Sequence, residues 1–188
     1  DVTVRVAFST VNYKDGMVMN GIGRLVRSYP HVPGVDFSGV VESSDNPGVK
    51  PGDKVVLTGW RVGEMHWGGY GELARVKGDW LVKLPDGLSL SRAMALGTAG
   101  FTAGLAVDTL ETAGMAPSKG EVLVTGAAGG VGSVAVALLA AKGYSVVAAT
   151  GRSETHGYLT DLGAASFIDR AELAEQPSRP LNKERFQA

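Results

Sequence analysis

The 188 residues contain no cysteine, which excludes disulfides and thiolate metal sites. The three histidines, His31, His66 and His156, are scattered without the short spacing of paired metal ligands, so no metal site is expected. Neither sign of charge is in excess. The 18 Lys and Arg face 19 Asp and Glu, a formal net charge of −1, and this gives no electrostatic case for a nucleic-acid partner or a membrane surface. No uninterrupted apolar run approaches the roughly 18 residues a spanning helix needs, and nothing at the start resembles a signal peptide. A cytoplasmic location is the expectation these absences fit. With 44% hydrophobic residues the chain can still bury a core, as one large or two small domains.

What is present is concentrated between Glu121 and Arg152. An apolar strand at Val122–Val124 leads into a glycine-rich turn, Gly126-Ala127-Ala128-Gly129-Gly130-Val131-Gly132, then an alanine-rich helix from Val131 to Lys142, then a second apolar strand ending at Thr150-Gly151-Arg152. That is half of a dinucleotide-binding βαβ unit. Its glycines remove side chains where the backbone turns tightly, approaches a pyrophosphate, or lets helix pack on strand. The helix start directs unpaired N–H groups and the positive end of its dipole at phosphate. Ala128, Gly129, Gly130 and Val131 are therefore the expected pyrophosphate contacts.

The end of the second strand predicts which dinucleotide. A carboxylate commonly stands there to accept hydrogen bonds from the adenosine ribose 2′-hydroxyl; this chain has Thr150, Gly151, Arg152 and Ser153 instead. Arg152 offers a planar, permanently charged fork, and a charge-assisted bond to a 2′-phosphate is worth about 1.5–3 kcal/mol. The reading is NADPH, with a solvated loop arginine as its alternative. Arg170, after a third strand at Ser166–Ile168, reads equally as a second charge near the adenine or as a surface arginine.

Both ends read as cut, the first because the chain opens on Asp1 and enters an alternating strand (Val2, Val4, Val6, Phe8) at once. The second does so because a polar, proline-containing stretch from Arg170 to Arg185 precedes the stop at Ala188, where a further strand is expected. A doubly wound sheet has about six strands, and the sequence shows three. Up to Ser91, Pro-Gly turns punctuate short strand-like runs such as Phe37–Val41, Lys54–Leu57 and Leu81–Leu84; after it, helical segments Ala93–Leu96 and Phe101–Leu110 alternate with buried strands. The expected fold class is α/β, with a β-rich domain over residues 1–91 and an incomplete dinucleotide-binding domain over 92–188.

Motifs in order along the whole chain carry a family resemblance: Asn12-Tyr13-Lys14-Asp15, Pro33-Gly34-Val35-Asp36-Phe37-Ser38-Gly39, Gly52-Asp53-Lys54-Val55, Gly68-Gly69-Tyr70-Gly71-Glu72, Gly97-Thr98-Ala99-Gly100-Phe101-Thr102-Ala103 and the glycine turn. Together they resemble the medium-chain dehydrogenase/reductase superfamily, in its zinc-free quinone-oxidoreductase and enoyl-reductase branch. Leu57-Thr58-Gly59-Trp60, His66-Trp67-Gly68-Gly69 and Val76-Lys77-Gly78-Asp79-Trp80 are most similar to the NADPH-dependent acrylyl-CoA reductases. The resemblance implies a GroES-like catalytic domain, a Rossmann domain, and a homodimer. It also implies that no catalytic zinc is used, because the neighbourhoods of the family's cysteine and histidine ligands here hold Asn12–Asp15 and Gly34-Val35-Asp36.

Three functions stay open: reduction of the C=C bond of a small 2-enoyl thioester, reduction of a quinone, and NADPH binding without catalysis. For the first, hydride reaches the β-carbon and donors placed at the carbonyl oxygen stabilise the enolate. The resemblance places Tyr13 against nicotinamide and substrate, as donor or proton relay and as a cofactor contact, and Thr98 beside the nicotinamide. Asn12 and Asp15 read either as groups orienting substrate or water, or as a local backbone cap; Asp36 reads as an aid to the catalytic loop. Lys14, Arg24 and Arg27 are the candidates for coenzyme A phosphates. Trp60, Trp67 and Trp80 read as core or interface, with an aromatic substrate wall as the alternative for Trp60 or Trp67.

Overall fold

The computed structural model describes residues 1–174 and 185–188, and they divide into two compact units, Asp1–Phe101 and Thr102–Ala188. The composition changes at Ser91, whereas the units divide at Phe101, inside a helix that spans both positions.

In the first unit, β1 (Val2–Ser9), β2 (Asp36–Ser44), β3 (Lys54–Thr58), β4 (Leu73–Val76) and β5 (Val82–Lys83) form an antiparallel sheet in the order β4-β1-β2-β3-β5. The Pro-Gly and Asp-Gly punctuation gives the turns between these strands their sharpness. Val2, Val4, Phe37, Val55 and Leu57 are fully buried and make the core of this sheet. The alternation expected of β1 fails at its far end, where Phe8 is 47% exposed. Irregularities in the pairing with β2, at Thr3/Val4 and Val6/Phe8, displace the pleat and turn that end of the strand away from the core. A short helix, α1 (Tyr13–Met19), follows β1.

Helix α2 (Leu90–Thr112) takes in both predicted helical segments but is broken at Gly97, whose φ of 52° and ψ of −158° are not helical. By length and composition alone this helix could cross a membrane. The run is interrupted at Gly97; Ala93, Met94, Ala103 and Val107 are buried, while Leu96, Phe101 and Leu105 are about half exposed.

The second unit carries a parallel sheet, β6-β7-β8, of Glu121–Val124, Ser145–Ala149 and Ser166–Ile168. Helix α3 (Gly130–Ala141) crosses from β6 to β7, one residue earlier at each end than the sequence predicts. Val146 and Val147, successive on β7 and pointing to opposite faces, are both fully buried, as a parallel sheet covered on both sides requires. Helices α4 (His156–Asp161) and α5 (Arg170–Ala174) flank β8. Of the polar stretch expected from Arg170 to Arg185, residues 175–184 lie outside the described residues; the tail beyond it runs along β6, with Leu123 N–H donating to the Ala188 carbonyl at 2.8 Å.

Candidate functional site

In the second unit the glycine turn joins β6 to α3 through contacts only glycine permits. Gly126 has φ 58°, and a Cβ on Gly132 would collide with the Gly126 carbonyl and stand 2.7 Å from the Ala127 Cα. No side chain caps α3. The first N–H groups of α3 lack an intrahelical acceptor by the geometry of any helix start, and they open towards the turn.

Beside that turn is a pocket of about 410 Å³ lined by Gly126, Ala128, Gly129, Ala149, Thr150, Gly151, Arg152 and Arg170. Six of the expected nucleotide contacts thus share one pocket, while Gly130 and Val131 line an adjoining, largely apolar groove of about 460 Å³. The Thr150 hydroxyl accepts the Arg152 N–H at 3.1 Å, and the Thr155 hydroxyl donates to the Arg152 carbonyl at 2.7 Å, so the backbone of Arg152 is fixed. Arg170 lies across Gly151, where an added Cβ would come 3.1 Å from its Nε. Among the described residues neither guanidinium is paired with a carboxylate. This arrangement suits a dinucleotide: a side-chain-free cradle at the helix start, and at the end of β7 two cations without a carboxylate partner among the described residues.

In the first unit Asn12, Asp15, Asp36 and Thr98 are brought into one network. Asp36 is fully buried. Its Oδ1 accepts the Thr10 N–H (3.2 Å) and hydroxyl (2.6 Å), and its Oδ2 accepts Asn12 Nδ2 (3.1 Å) and the Thr98 N–H (2.8 Å). Asp15, also fully buried, accepts the Gly34 and Val35 N–H groups on Oδ1 and the Asn12 N–H on Oδ2. With both oxygens committed to backbone, Asp15 serves as a cap and tether for α1 and the Gly34 turn; of its two sequence readings, the geometry favours the cap. Tyr13, the first residue of α1, is 88% exposed and stands outside the network.

Two further members were not among the site residues the sequence proposes, although Tyr70 lies in the Gly68–Glu72 motif. Thr10 joins the network by backbone and hydroxyl, and Tyr70 donates its phenol to the Thr10 carbonyl at 2.9 Å. Burial, then the Asp15 carboxylate, and more weakly Asp36, push the Tyr70 phenol up to about 12. Only the fold places these side chains beside the two aspartates.

Two expectations change. Lys14 is not a free cation: its Nζ donates to Glu64 Oε1 at 2.9 Å, and Glu64, 7% exposed, also has Arg61 at 3.9 Å. A buried carboxylate needs that partner, so Lys14 is a poor candidate for coenzyme A phosphate. Trp60 and Trp67 are not core residues, being 58% and 60% exposed. Trp60 stacks at 5.9 Å on Trp80, which packs against the sheet core. Among the described residues no three His, Asp or Glu side chains gather as a metal site would need.

Residues 1–86 match the profile of the alcohol dehydrogenase GroES-like domain. The chain is 62% identical over 184 residues to the acrylyl-CoA reductase AcuI of Ruegeria pomeroyi, covering 98% of this chain and 56% of that protein. It is 48% identical over 186 residues to the putative quinone oxidoreductase YhfP of Bacillus subtilis, covering 99% and 56%. The solved yhdH oxidoreductase of Salmonella enterica, in complex with NADP, is 57% identical and superposes with a TM-score of 0.95, covering 99% of this chain and 57% of that one. The chain thus spans a little over half the length of the curated relatives it matches. In its GroES-like unit, its parallel-sheet unit with the glycine turn, and these likenesses, the chain is similar to oxidoreductases of the medium-chain dehydrogenase/reductase superfamily.

Proposed function

We propose that this chain is part of a zinc-independent, NADPH-dependent reductase that saturates the C=C bond of a small 2-enoyl thioester, of the acrylyl-CoA to propionyl-CoA type. The observation that carries the cofactor reading is the pocket at the end of β7, where Arg152 and Arg170 stand without a carboxylate among its lining residues. The likeness to a named acrylyl-CoA reductase supports the substrate class.

The proposal assigns roles to this chain's own residues. The first turn of α3, with Ala128, Gly129, Gly130 and Val131, receives the pyrophosphate; Thr150 and Gly151 shape the ribose end, and Arg152 with Arg170 neutralises the 2′-phosphate. When bound, NADPH supplies the hydride that reaches the β-carbon. Charge then collects on the thioester carbonyl oxygen, and the exposed Tyr13 phenol donates to it or passes a proton to the α-carbon. Asn12 and Thr98 complete the nicotinamide and substrate surroundings. A cytoplasmic homodimer is part of the same proposal, resting on the family resemblance.

A second reading, reduction of a quinone or conjugated ketone by the same cofactor, is favoured by the likeness to YhfP. The deciding assay uses the full-length protein and follows loss of nicotinamide absorbance with acrylyl-CoA, a small quinone, and an NADH control. Fast NADPH-specific turnover of the thioester with a slow quinone is expected. Quinone turnover alone would establish the second reading. NADPH binding with neither acceptor reduced would leave a binding protein, and Tyr13→Phe would then have no turnover to diminish.

A further inference from the structure

We infer that Asp36 is a positioning residue for hydride transfer: one buried carboxylate sets Asn12 and Thr98 relative to each other by accepting from both on the same oxygen. The inference rests on the proposed reductase function, and it concerns how that reaction is geometrically prepared.

Three observations support it. The first is the break in α2. Residues Leu90 to Leu96 are tied to β2 by the Ser38 hydroxyl, which donates to the Leu90 carbonyl at 2.8 Å. The helix then stops at Gly97 and restarts at Thr98, whose N–H goes to Asp36 Oδ2. Asp36 is therefore the anionic group at the start of the second helical segment, where N–H groups lack helix acceptors and the dipole favours negative charge.

The second observation is how closely the carboxylate is fitted. A Cβ on Gly97 would stand 3.1 Å from Asp36 Oδ2 and 3.3 Å from Thr10 Oγ1, in a backbone region that side-chain-bearing residues rarely adopt. Glycine at this position keeps the helix restart against the carboxylate.

The third is what this buried carboxylate is committed to. Asp36 is fully buried, and no cation is within ion-pair distance of it among the described residues. Its partners are four donors on three residues, Thr10 and Asn12 just after β1 and Thr98 in α2. A carboxylate accepts at both oxygens, whereas an amide in its place turns an NH₂ towards two of these donors. Replacing a charged acceptor by hydrocarbon leaves Thr98 N–H and Asn12 Nδ2 without this partner, and misplacement of about 1 Å at a reacting site costs about a hundredfold in rate.

The test uses full-length Asp36→Asn, with Asp36→Ala beside it, measured against wild type for folding, NADPH affinity, kcat, KM for acrylyl-CoA, and the isotope effect from NADPH carrying deuterium at the transferred position. Expected for Asp36→Asn is a folded protein whose NADPH dissociation constant moves by less than about threefold, since the Arg152 and Arg170 pocket is untouched, while kcat falls about ten- to a hundredfold and the isotope effect rises as hydride transfer becomes limiting. Asp36→Ala should fall further. Folded Asp36→Asn with unchanged kcat overturns the inference. So does a kcat that falls only with the folded fraction at an unchanged isotope effect, and so does failure of Asp36→Asn to fold, because the carboxylate then serves the fold and not the reaction. A wild-type protein that reduces neither acrylyl-CoA nor a quinone overturns the function on which the inference rests, which separates that failure from the others.

Discussion

Arg152 is held by its backbone and free at its side chain, the division of labour expected of a residue that recognises a phosphate. Thr150 and Thr155 fix its N–H and carbonyl, and no carboxylate among the described residues competes for the guanidinium. Arg152→Ala should weaken NADPH binding about ten- to a hundredfold, the equivalent of a charge-assisted hydrogen bond of about 1.5–3 kcal/mol, and leave NADH affinity nearly unchanged. Titration calorimetry with both cofactors checks this, and an equal loss for both would refute 2′-phosphate recognition. Tyr70 allows a prediction about pH. Its folded pKa is raised to about 12 from an ordinary 10.0, so the neutral phenol is favoured in the native state and the unfolded chain binds fewer protons above pH 10. The contribution is complete below about pH 10 and is lost as pH climbs towards 12. Tyr70→Phe should lower Tm at neutral pH, by removing the hydrogen bond to the Thr10 carbonyl, and should show a shallower alkaline decline than wild type. Melting curves from pH 8 to pH 11.5 test both parts.

At the scale of elements, the contiguous ones were legible and the assembled ones were not. The strand, glycine turn and helix between Glu121 and Ala141 are neighbours in sequence, and each glycine has a local reason, so spacing alone recovered β6 and α3 within a residue. The network on Asp36 joins positions 10, 12, 36 and 98, which no periodicity relates. The break at Gly97 falls in the gap the sequence leaves between the helical segments Ala93–Leu96 and Phe101–Leu110, but the restart of the helix on Asp36 through the Thr98 N–H has no local signal. Phe8 shows the same limit on a strand: alternation predicted it inward, and the irregular pairing of β1 with β2 turned it out. Both concealed features follow from contacts between distant segments. Gly97→Ala should destabilise the first unit by about 1–3 kcal/mol, since alanine at φ 52° is strained and its methyl meets Asp36 and Thr10. An alanine at Gly104, on the same helix and with open space around it, should be neutral or slightly stabilising. Chemical denaturation of the pair, each against wild type, distinguishes a backbone requirement from a general intolerance of α2 to substitution.

For the molecule as a whole, charge separates what is local from what is global. Over these 188 residues a formal net charge of −1 provides no overall field to draw in a polyanion such as NADPH. Any preference for the phosphorylated cofactor must then come from the few cations at the pocket, chiefly Arg152 and Arg170, over a range no greater than the screening length of about 8 Å at physiological ionic strength. Two consequences can be measured together. NADPH at a hundred times its dissociation constant should stabilise the full-length protein by about 2.7 kcal/mol through mass action, with NADH at the same concentration giving a much smaller rise in Tm. Raising salt should weaken NADPH severalfold while barely moving NADH, because the added phosphate is the group that meets the arginines and the rest of the dinucleotide is held largely by backbone at the glycine turn. If both cofactors weakened in parallel with salt, the pyrophosphate and not the 2′-phosphate would be the main electrostatic contact, and the cofactor preference would have to be assigned to shape at Thr150 and Gly151.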